Sequence, residues 1–115
     1  MAKNNRAAGA SYEAYIADYL RARGFVILEQ NYRCRQGEID IIARDGTYLV
    51  FIEVKFRRTK AAGISLEAID WKKAARIRKA ALYYMYAHNL PEETRCRFDA
   101  AGIDGETVTY IKNAF

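Results

Sequence analysis

The 115-residue sequence has few of the residues from which zinc sites and disulfide frameworks are built. It contains two cysteines, Cys34 and Cys96, which lie far apart and form no CxxC pair, and one histidine, His88. Free thiols are the default for such cysteines in a reducing cytosol. Neither a zinc centre nor a disulfide is therefore expected, and His88 is expected near the end of a helix, where histidine is favoured.

Long apolar runs are also missing. No stretch of 18 apolar residues occurs, so no transmembrane helix is expected. The N-terminal residues lack the apolar core of a signal peptide, and the sequence shows neither internal repeats nor a low-complexity linker. These absences favour a cytoplasmic protein without a membrane partner. We expect residues 1–8 to be disordered and residues 9–115 to form one domain.

What is present is an apolar chain with unevenly placed charge. Hydrophobic residues make up 51% of the sequence, which argues against disorder. Residues 36–54 hold one basic and four acidic side chains, whereas residues 55–80 hold nine basic and two acidic ones. An acidic patch directly before a basic stretch suits a polyanion held beside a carboxylate-bound cation. The alternative is a basic helix face that only contacts solvent.

Residues 37–55 contain two β-rich runs on either side of Asp45-Gly46, a pair typical of two-residue hairpin turns. If those two residues form the loop, Asp40 lies opposite Phe51 on the neighbouring strand. The apolar residues then fall mostly on one face of the hairpin. The predicted members of this face are Ile39, Ile41, Ala43, Tyr48, Val50, Ile52, Val54 and Phe56.

Three charged side chains share the other face. Asp40 and Glu53 are diagonal neighbours in this register, and Lys55 follows Glu53 because side chains alternate with period 2. With Glu38 they either form cross-strand ion pairs at a wet strand end or build a metal site. Neighbouring carboxylates repel one another, and hard oxygen ligands suit Mg²⁺ or Mn²⁺. A lysine beside such a site can orient water or offset charge on a phosphate.

The first predicted helix covers residues 9–23 and ends at Gly24. At 100° per residue, Glu13 lies on the apolar side of this helix. A buried carboxylate without a partner is expensive. Glu13 therefore either extends to solvent at the edge of the apolar stripe or reaches the cluster of Asp40 and Glu53.

The second predicted helix covers residues 70–89 with Asp70 as N-cap. Lys73 lies at the start of its apolar stripe, where the side chain either extends to solvent or points at an anion. The preceding connection, residues 57–69, is longer than most and lies beside the candidate site. The candidate nucleic-acid contacts in these two segments are Arg57, Arg58, Lys60, Lys72, Lys73 and Arg76.

The same helix presents tyrosines on its outer side. Helical spacing places Tyr84 inward and Tyr83 and Tyr86 outward. Outward aromatic residues supply the apolar patch that a homodimer needs, or they are half-exposed surface residues.

The element order is α-β-β-β-α-β-β, which predicts an α/β domain with a central mixed β-sheet flanked by helices. The predicted strands cover residues 25–35, 38–44, 47–57, 94–102 and 106–112. Arg97 and Asp99 lie on the fourth strand. They pair either with the candidate site or with each other.

Asp40, twelve intervening residues and then Glu53-Val54-Lys55 resemble the D…(D/E)xK motif of restriction-endonuclease-like nucleases. Ile39 stands where that motif often has proline, a residue without a chemical role. From about Gly9 to the C-terminus, the chain resembles the bacterial YraN-like family, which is grouped with Holliday-junction-resolvase-like proteins. The residues that carry this resemblance are Gly24-Phe25, Asn31-Tyr32-Arg33, residues 37–43, residues 51–55, Arg97-Phe98-Asp99 and Asn113-Ala114-Phe115.

The resemblance implies a restriction-endonuclease-like core and a metal-dependent endonuclease that acts on DNA, with branched or structured DNA as a candidate substrate. In that interpretation Asp40, Glu53 and the Val54 carbonyl hold Mg²⁺ or Mn²⁺, Lys55 orients the attacking water and Glu13 completes the acidic cluster. Cutting a junction at two related positions further implies a homodimer. Two alternatives remain open: a nucleic-acid-binding module of the same fold that does not cut, and a protein-interaction domain.

Overall fold

The computed structural model describes the backbone of residues 5–57 and 70–115, and the side chains of residues 12–55 and 70–115. The elements are α1 (Asn5–Ala22), β1 (Val26–Cys34), β2 (Gly37–Asp45), β3 (Tyr48–Arg57), α2 (Trp71–Ala87), β4 (Cys96–Asp104) and β5 (Thr107–Ile111). This order is the predicted one. Helix α1 begins at Asn5, four residues before the predicted start of this helix at residue 9.

The five strands form one mixed sheet in the order β1-β2-β3-β4-β5. Strands β3 and β4 are parallel, and the other three neighbouring pairs are antiparallel. A parallel pair needs a crossover connection, and this connection contains α2. The predicted α/β class with a mixed sheet is thereby confirmed. Within the described ranges, no helix has the length and apolarity that a membrane span requires.

The loop between β2 and β3 consists of Gly46 and Thr47, because Asp45 already pairs with Tyr48. Gly46 has φ +62° and is the first central residue of the turn, the position at which a type II′ turn needs glycine. The predicted Asp45-Gly46 loop is therefore wrong by one residue. Moving a two-residue loop by one position moves the strand register by two.

This register changes the neighbours of Asp40. Phe51 pairs with Ile42 and not with Asp40, and the last pair between the two strands is Ile41 with Ile52. A shift of two keeps every side chain on its predicted face, because alternation has period 2. Asp40 is the first β2 residue beyond the end of the pairing with β3.

Two apolar clusters occupy the two faces of the sheet, so the domain has three layers. Helix α1 packs on one cluster, which contains Ile16, Ala17, Leu20, Phe25, Ile41, Ala43, Val50, Ile52, Ala101 and Ile103. Helix α2 packs on the other, which contains Ile39, Ile42, Leu49, Phe51, Ile77, Ala80, Ala81 and Tyr84. Alternate residues of β2 and β3 thus point to different helices.

Ile39 departs from this alternation, since it was predicted to lie with Ile41 but packs on the α2 side. The break lies next to Asn31, which has φ +55°. The pairs on either side of Asn31 place it opposite Asp40. A regular strand residue does not adopt this left-handed conformation, so the pleat of the β1–β2 ribbon is interrupted here.

Candidate active site

Asp40 lies where β2 and β3 stop pairing. Its Oδ2 accepts a hydrogen bond of 2.8 Å from the backbone N–H of Val54. The carboxyl group therefore replaces a backbone acceptor at the edge of β3. The N–H and C=O groups of one strand residue point to the same edge, so the carbonyl of Val54 faces the same gap between the strands.

Glu53 contributes a second carboxylate next to Asp40. Its side chain is buried, with 3% of the residue exposed, and forms an ion pair with Lys73 of α2. Burial lowers the pKa of Lys73, but the hydrogen bond to Glu53 and the negative charge of that residue outweigh this effect, and the net pKa is raised. Lys73 was predicted either to extend to solvent or to point at an anion, and in the structure it points at the Glu53 carboxylate.

Glu13 reaches the same place from α1. Helix α1 packs on one face of the sheet, whereas Glu53 lies on the opposite face, which α2 covers. Burial raises the pKa of Glu13 above its ordinary value, whereas hydrogen bonds from Asn31 and Asp40 lower it. Within the described part of the chain, Oε1 of Glu13 is buried and has no hydrogen-bond partner.

The cluster is unfavourable for negative charge. Burial, followed by the charge of Glu53, raises the pKa of Asp40 to about 8, although the Val54 N–H acts in the opposite direction. The charge of Glu13 also contributes to this rise. Asp40 is thus largely protonated at neutral pH in the metal-free protein. A group of carboxyls that cannot all ionise cheaply is a favourable place for a cation.

Asn31 belongs to the site but was absent from the predicted site residues. It lies opposite Asp40 in the β1–β2 register and hydrogen-bonds Glu13. Its φ of +55° is one that asparagine tolerates better than most residues. One signal was available in the sequence, since asparagine is depleted in strands and Asn31 lies inside a predicted strand.

Asp40 and Glu53 open into a cleft of about 290 Å³ between β2 and α2. Its lining includes Glu38, Asp40, Glu53, Lys73 and Arg76. The two elements approach closely, because a Cβ added to Gly37 would lie 3.3 Å from the carbonyl oxygen of Arg76. The cleft therefore has an acidic floor and a basic wall.

The remaining predicted site residues are less closely associated with this cleft. Lys55 is half-buried on β3, and its side chain takes part in no hydrogen bond or ion pair with the residues that the structure describes. Lys72 is exposed on the outer side of α2. Arg58, Lys60 and the side chain of Arg57 lie outside the described residues.

Arg97 and Asp99 pair with each other and not with the site. Both oxygens of Asp99 lie 3.0 Å from Nε of Arg97, and a second nitrogen of Arg97 bonds Asp45 at 2.8 Å. Tyr110 and the backbone N–H of Asn113 donate to the same Asp99 carboxylate. This buried network ties the end of the chain to β4 and resolves the alternative that the sequence left open.

The donor chemistry of the cluster fits a hard divalent cation. Two carboxylates and the Val54 carbonyl supply oxygen ligands, and Mg²⁺ needs only one or two carboxylates because it keeps several waters. The buried Oε1 of Glu13 can accept a hydrogen bond from such a water. In the present conformation, no three histidine, cysteine, aspartate or glutamate side chains of the described residues form a metal-binding group. Lys73 instead pairs with Glu53.

Comparison with known proteins places this chain among uncharacterised relatives. The model of a family described as "Uncharacterised protein family UPF0102" matches residues 12–103. A UPF0102 protein of Lachnoclostridium phytofermentans is 47% identical over 112 residues, which cover 97% of this chain and 95% of the relative. A UPF0102 protein of Syntrophus aciditrophicus is 44% identical over 115 residues, with coverage of 96% and 90%. One from Legionella pneumophila is 41% identical over 109 residues, with coverage of 93% and 92%.

Proposed function

The chain belongs to the UPF0102 family, the YraN-like family that its sequence resembles, and we propose that it is a metal-dependent endonuclease acting on DNA. The observation that carries the proposal is the convergence of Asp40 and Glu53 in a cleft with a basic wall, where Asp40 is also hydrogen-bonded to the Val54 backbone. The five-stranded mixed sheet between two helices is compatible with a restriction-endonuclease-like core. We infer that the domain has this core.

In this proposal Asp40, Glu53 and the Val54 carbonyl would hold Mg²⁺ or Mn²⁺. When bound, such an ion would supply Lewis-acid stabilisation of the charge that develops on the phosphate and on the nucleophile. Lys73 and Arg76 line the cleft and contact the phosphate oxygens through charge-assisted hydrogen bonds. Contacts of this type hold the scissile phosphodiester in place without selecting its sequence.

Two further residues act on the attacking water. Lys55 lies two residues after Glu53 on the same face of β3 and orients this water. Glu13 accepts one of its hydrogen bonds through the unpartnered Oε1. The water oxygen forms a new bond to phosphorus while the bond from phosphorus to the leaving sugar oxygen breaks. The proton lost by the water leaves to solvent, and the sugar oxygen takes up a proton from solvent.

A second candidate function is a nucleic-acid-binding module that does not cut. The observation that favours it is the ion pair between Lys73 and Glu53, which neutralises Glu53 without any metal. The two functions differ in what a divalent cation does, because only the nuclease requires one for turnover.

The proposal is tested with duplex, forked and four-way-junction DNA in Mn²⁺, Mg²⁺ or EDTA. We expect cleavage only with a divalent cation, and loss of at least a hundredfold of the rate in Asp40→Asn, because that residue contacts the ion. Asp18→Asn is the matched control, since Asp18 is an exposed aspartate on α1. Cleavage that persists equally in both purified variants would identify a contaminant. No cleavage and no thermal stabilisation with either metal would exclude the nuclease.

A further inference from the structure

One side of α2 carries a regular stripe that the proposed chemistry does not use fully. Its members are Lys72, Arg76, Lys79, Tyr83 and Tyr86, which alternate at intervals of four and three residues. At this spacing they fall on one side of the helix. The stripe is about 21 Å long at 1.5 Å per residue.

The basic part of the stripe is not neutralised by neighbouring acids. Helix α2 contains five basic residues and no acidic residue over its 17 positions. Among the residues that the structure describes, Lys72, Arg76 and Lys79 take part in no salt bridge. This surface therefore attracts a polyanion.

The aromatic part of the stripe faces solvent. Tyr86 is 80% exposed and Tyr83 is 44% exposed, whereas Tyr84 between them is 6% exposed and packs in the core. Of these three tyrosines, only Tyr84 packs in the core, so the rings of Tyr83 and Tyr86 are available for stacking. Base–aromatic stacking is the interaction that exposed tyrosines beside basic residues offer to an unpaired strand.

The stripe is continuous with the candidate active site. Arg76 belongs both to the stripe and to the wall of the cleft. Lys72 lies one turn nearer the start of α2, while Tyr83 and Tyr86 lie towards its end. A strand that follows the stripe therefore passes from the aromatic end of the helix to the carboxylates.

We propose that this stripe binds a single-stranded segment of DNA whose phosphate backbone continues into the cleft. The three basic residues contact successive phosphates, and Tyr83 and Tyr86 stack on unpaired bases. A duplex hides the faces of its bases, so it can use the basic residues but not the two rings. The inference rests on the proposed function for the identity of its ligand and narrows the substrate to DNA with a single-stranded arm.

Charge argues against a second copy of the chain as the occupant. A two-fold contact brings the same patch of both subunits together. A parallel contact along this stripe would place each basic residue against its own copy, and an antiparallel contact centred on the stripe would place Lys79 against Lys79 of the second copy. Like charges that face each other across an interface disfavour such a contact.

The test measures fluorescence anisotropy of labelled oligonucleotides in EDTA, where metal-dependent cleavage cannot occur. The ligands are oligothymidine, oligouridine, an abasic strand of the same length and a blunt duplex. We expect Tyr83→Ala and Tyr86→Ala each to weaken oligothymidine binding about fivefold or more. Binding of the abasic strand should not change, and Tyr86→Phe should retain stacking.

The matched controls separate rings from charges. Tyr15 is also 44% exposed but lies on α1, on the other side of the sheet, so Tyr15→Ala should leave binding unchanged. Lys79→Ala should weaken binding of both oligothymidine and the abasic strand and reduce the salt slope by about 0.7. Lys112 is an exposed lysine near the end of the chain, and Lys112→Ala should change neither the binding of these strands nor the salt slope.

Several outcomes would overturn the inference. One is that the duplex or oligouridine binds as tightly as oligothymidine or more tightly. A second is that the tyrosine variants bind oligothymidine like the parent. A third is a dimer in sedimentation that Tyr86→Ala dissociates. Because the assay needs no metal, its result is independent of cleavage. If DNA binds along the stripe but is not cleaved, only the proposed nuclease activity is excluded. If DNA is cleaved but the tyrosine variants bind it like the parent, only the proposed role of the stripe is excluded.

Discussion

Lys73 of α2 forms an ion pair with the buried carboxylate of Glu53 and so occupies the position of a cation in the candidate site. Without a partner, Glu53 would be a buried charge, which costs several kcal/mol. A divalent cation bound to the same carboxylate would compete with the ammonium group. Its binding would also release Lys73 towards the phosphate.

Lys73→Met tests this competition, since methionine keeps an apolar stem but carries no charge. We expect the metal-free variant to be less stable than the parent, by less than the roughly 3–5 kcal/mol of a fully buried pair, because the Lys73 side chain is partly exposed. Mn²⁺ should raise the melting temperature more in the variant than in the parent. Lys79→Met is the exposed control. A smaller metal-induced shift in Lys73→Met would contradict the competition.

The raised pKa of Asp40 predicts that stability depends on pH. The pKa is about 8 in the folded protein against an ordinary value of 3.8, so the folded state binds this proton more tightly. The resulting contribution is fully present below about pH 4 and is lost as the pH rises towards 8. Urea denaturation of the metal-free protein should therefore show a free energy of unfolding that falls as the pH is raised from about 4 to about 8. Asp40→Asn should flatten this dependence and Asp18→Asn should not; an unchanged slope in Asp40→Asn would exclude Asp40 as its source.

Metal binding should release a proton for the same reason. A cation requires the ionised form of Asp40, which is largely protonated at neutral pH. Titration calorimetry with Mn²⁺ at pH 7, in two buffers of different ionisation enthalpy, should report release of close to one proton. Affinity should rise between about pH 6 and pH 8. Identical heats in both buffers would show that Asp40 does not ionise on binding.

Two substitutions of Asn31 separate its backbone role from its side-chain role. Asn31→Gly keeps access to the φ of +55°, whereas Asn31→Ala forces an alanine into a conformation that costs about 1–2 kcal/mol. Chemical denaturation should therefore show Asn31→Ala to be the less stable variant. Both variants lose the amide beside Glu13 and should alter Mn²⁺ affinity equally. Equal stability of the two would mean that the backbone conformation is not constrained.

The network of Asp99 should affect stability and leave metal binding unchanged. Asp99 is fully buried and accepts hydrogen bonds from Arg97, Tyr110 and Asn113. Asp99→Ala removes one of the two carboxylate partners of the buried Arg97 guanidinium, which keeps Asp45, and should cost up to about 3–5 kcal/mol. If the variant stays folded at low temperature, its Mn²⁺ affinity should equal that of the parent. A loss of metal affinity would assign Asp99 to the site.

Local periodicity in the sequence was sufficient for much of the fold. The inward position of Tyr84 and the outward positions of Tyr83 and Tyr86 follow from helical spacing, and the structure confirms them. Asp70 was predicted to cap α2, and its side chain accepts the N–H of Lys72 at 3.0 Å. These features depend on residues only a few positions apart, which is why a single sequence determines them.

Only the tertiary structure decided which residues meet at the site. Whether Asp45-Gly46 or Gly46-Thr47 forms the turn depends on the packing of both faces of the hairpin, since either pair is an acceptable local loop. Glu13 lies on α1, on the face of the sheet opposite to α2. It reaches Asp40 because the pairing of β2 with β3 ends at Ile41, so that Asp40 lies beyond it. The sequence by itself determined the elements, their order and the candidate carboxylates. The three-dimensional packing determined the strand register and the partners of Glu13, Lys73 and Asp99, because these contacts join segments far apart in the chain.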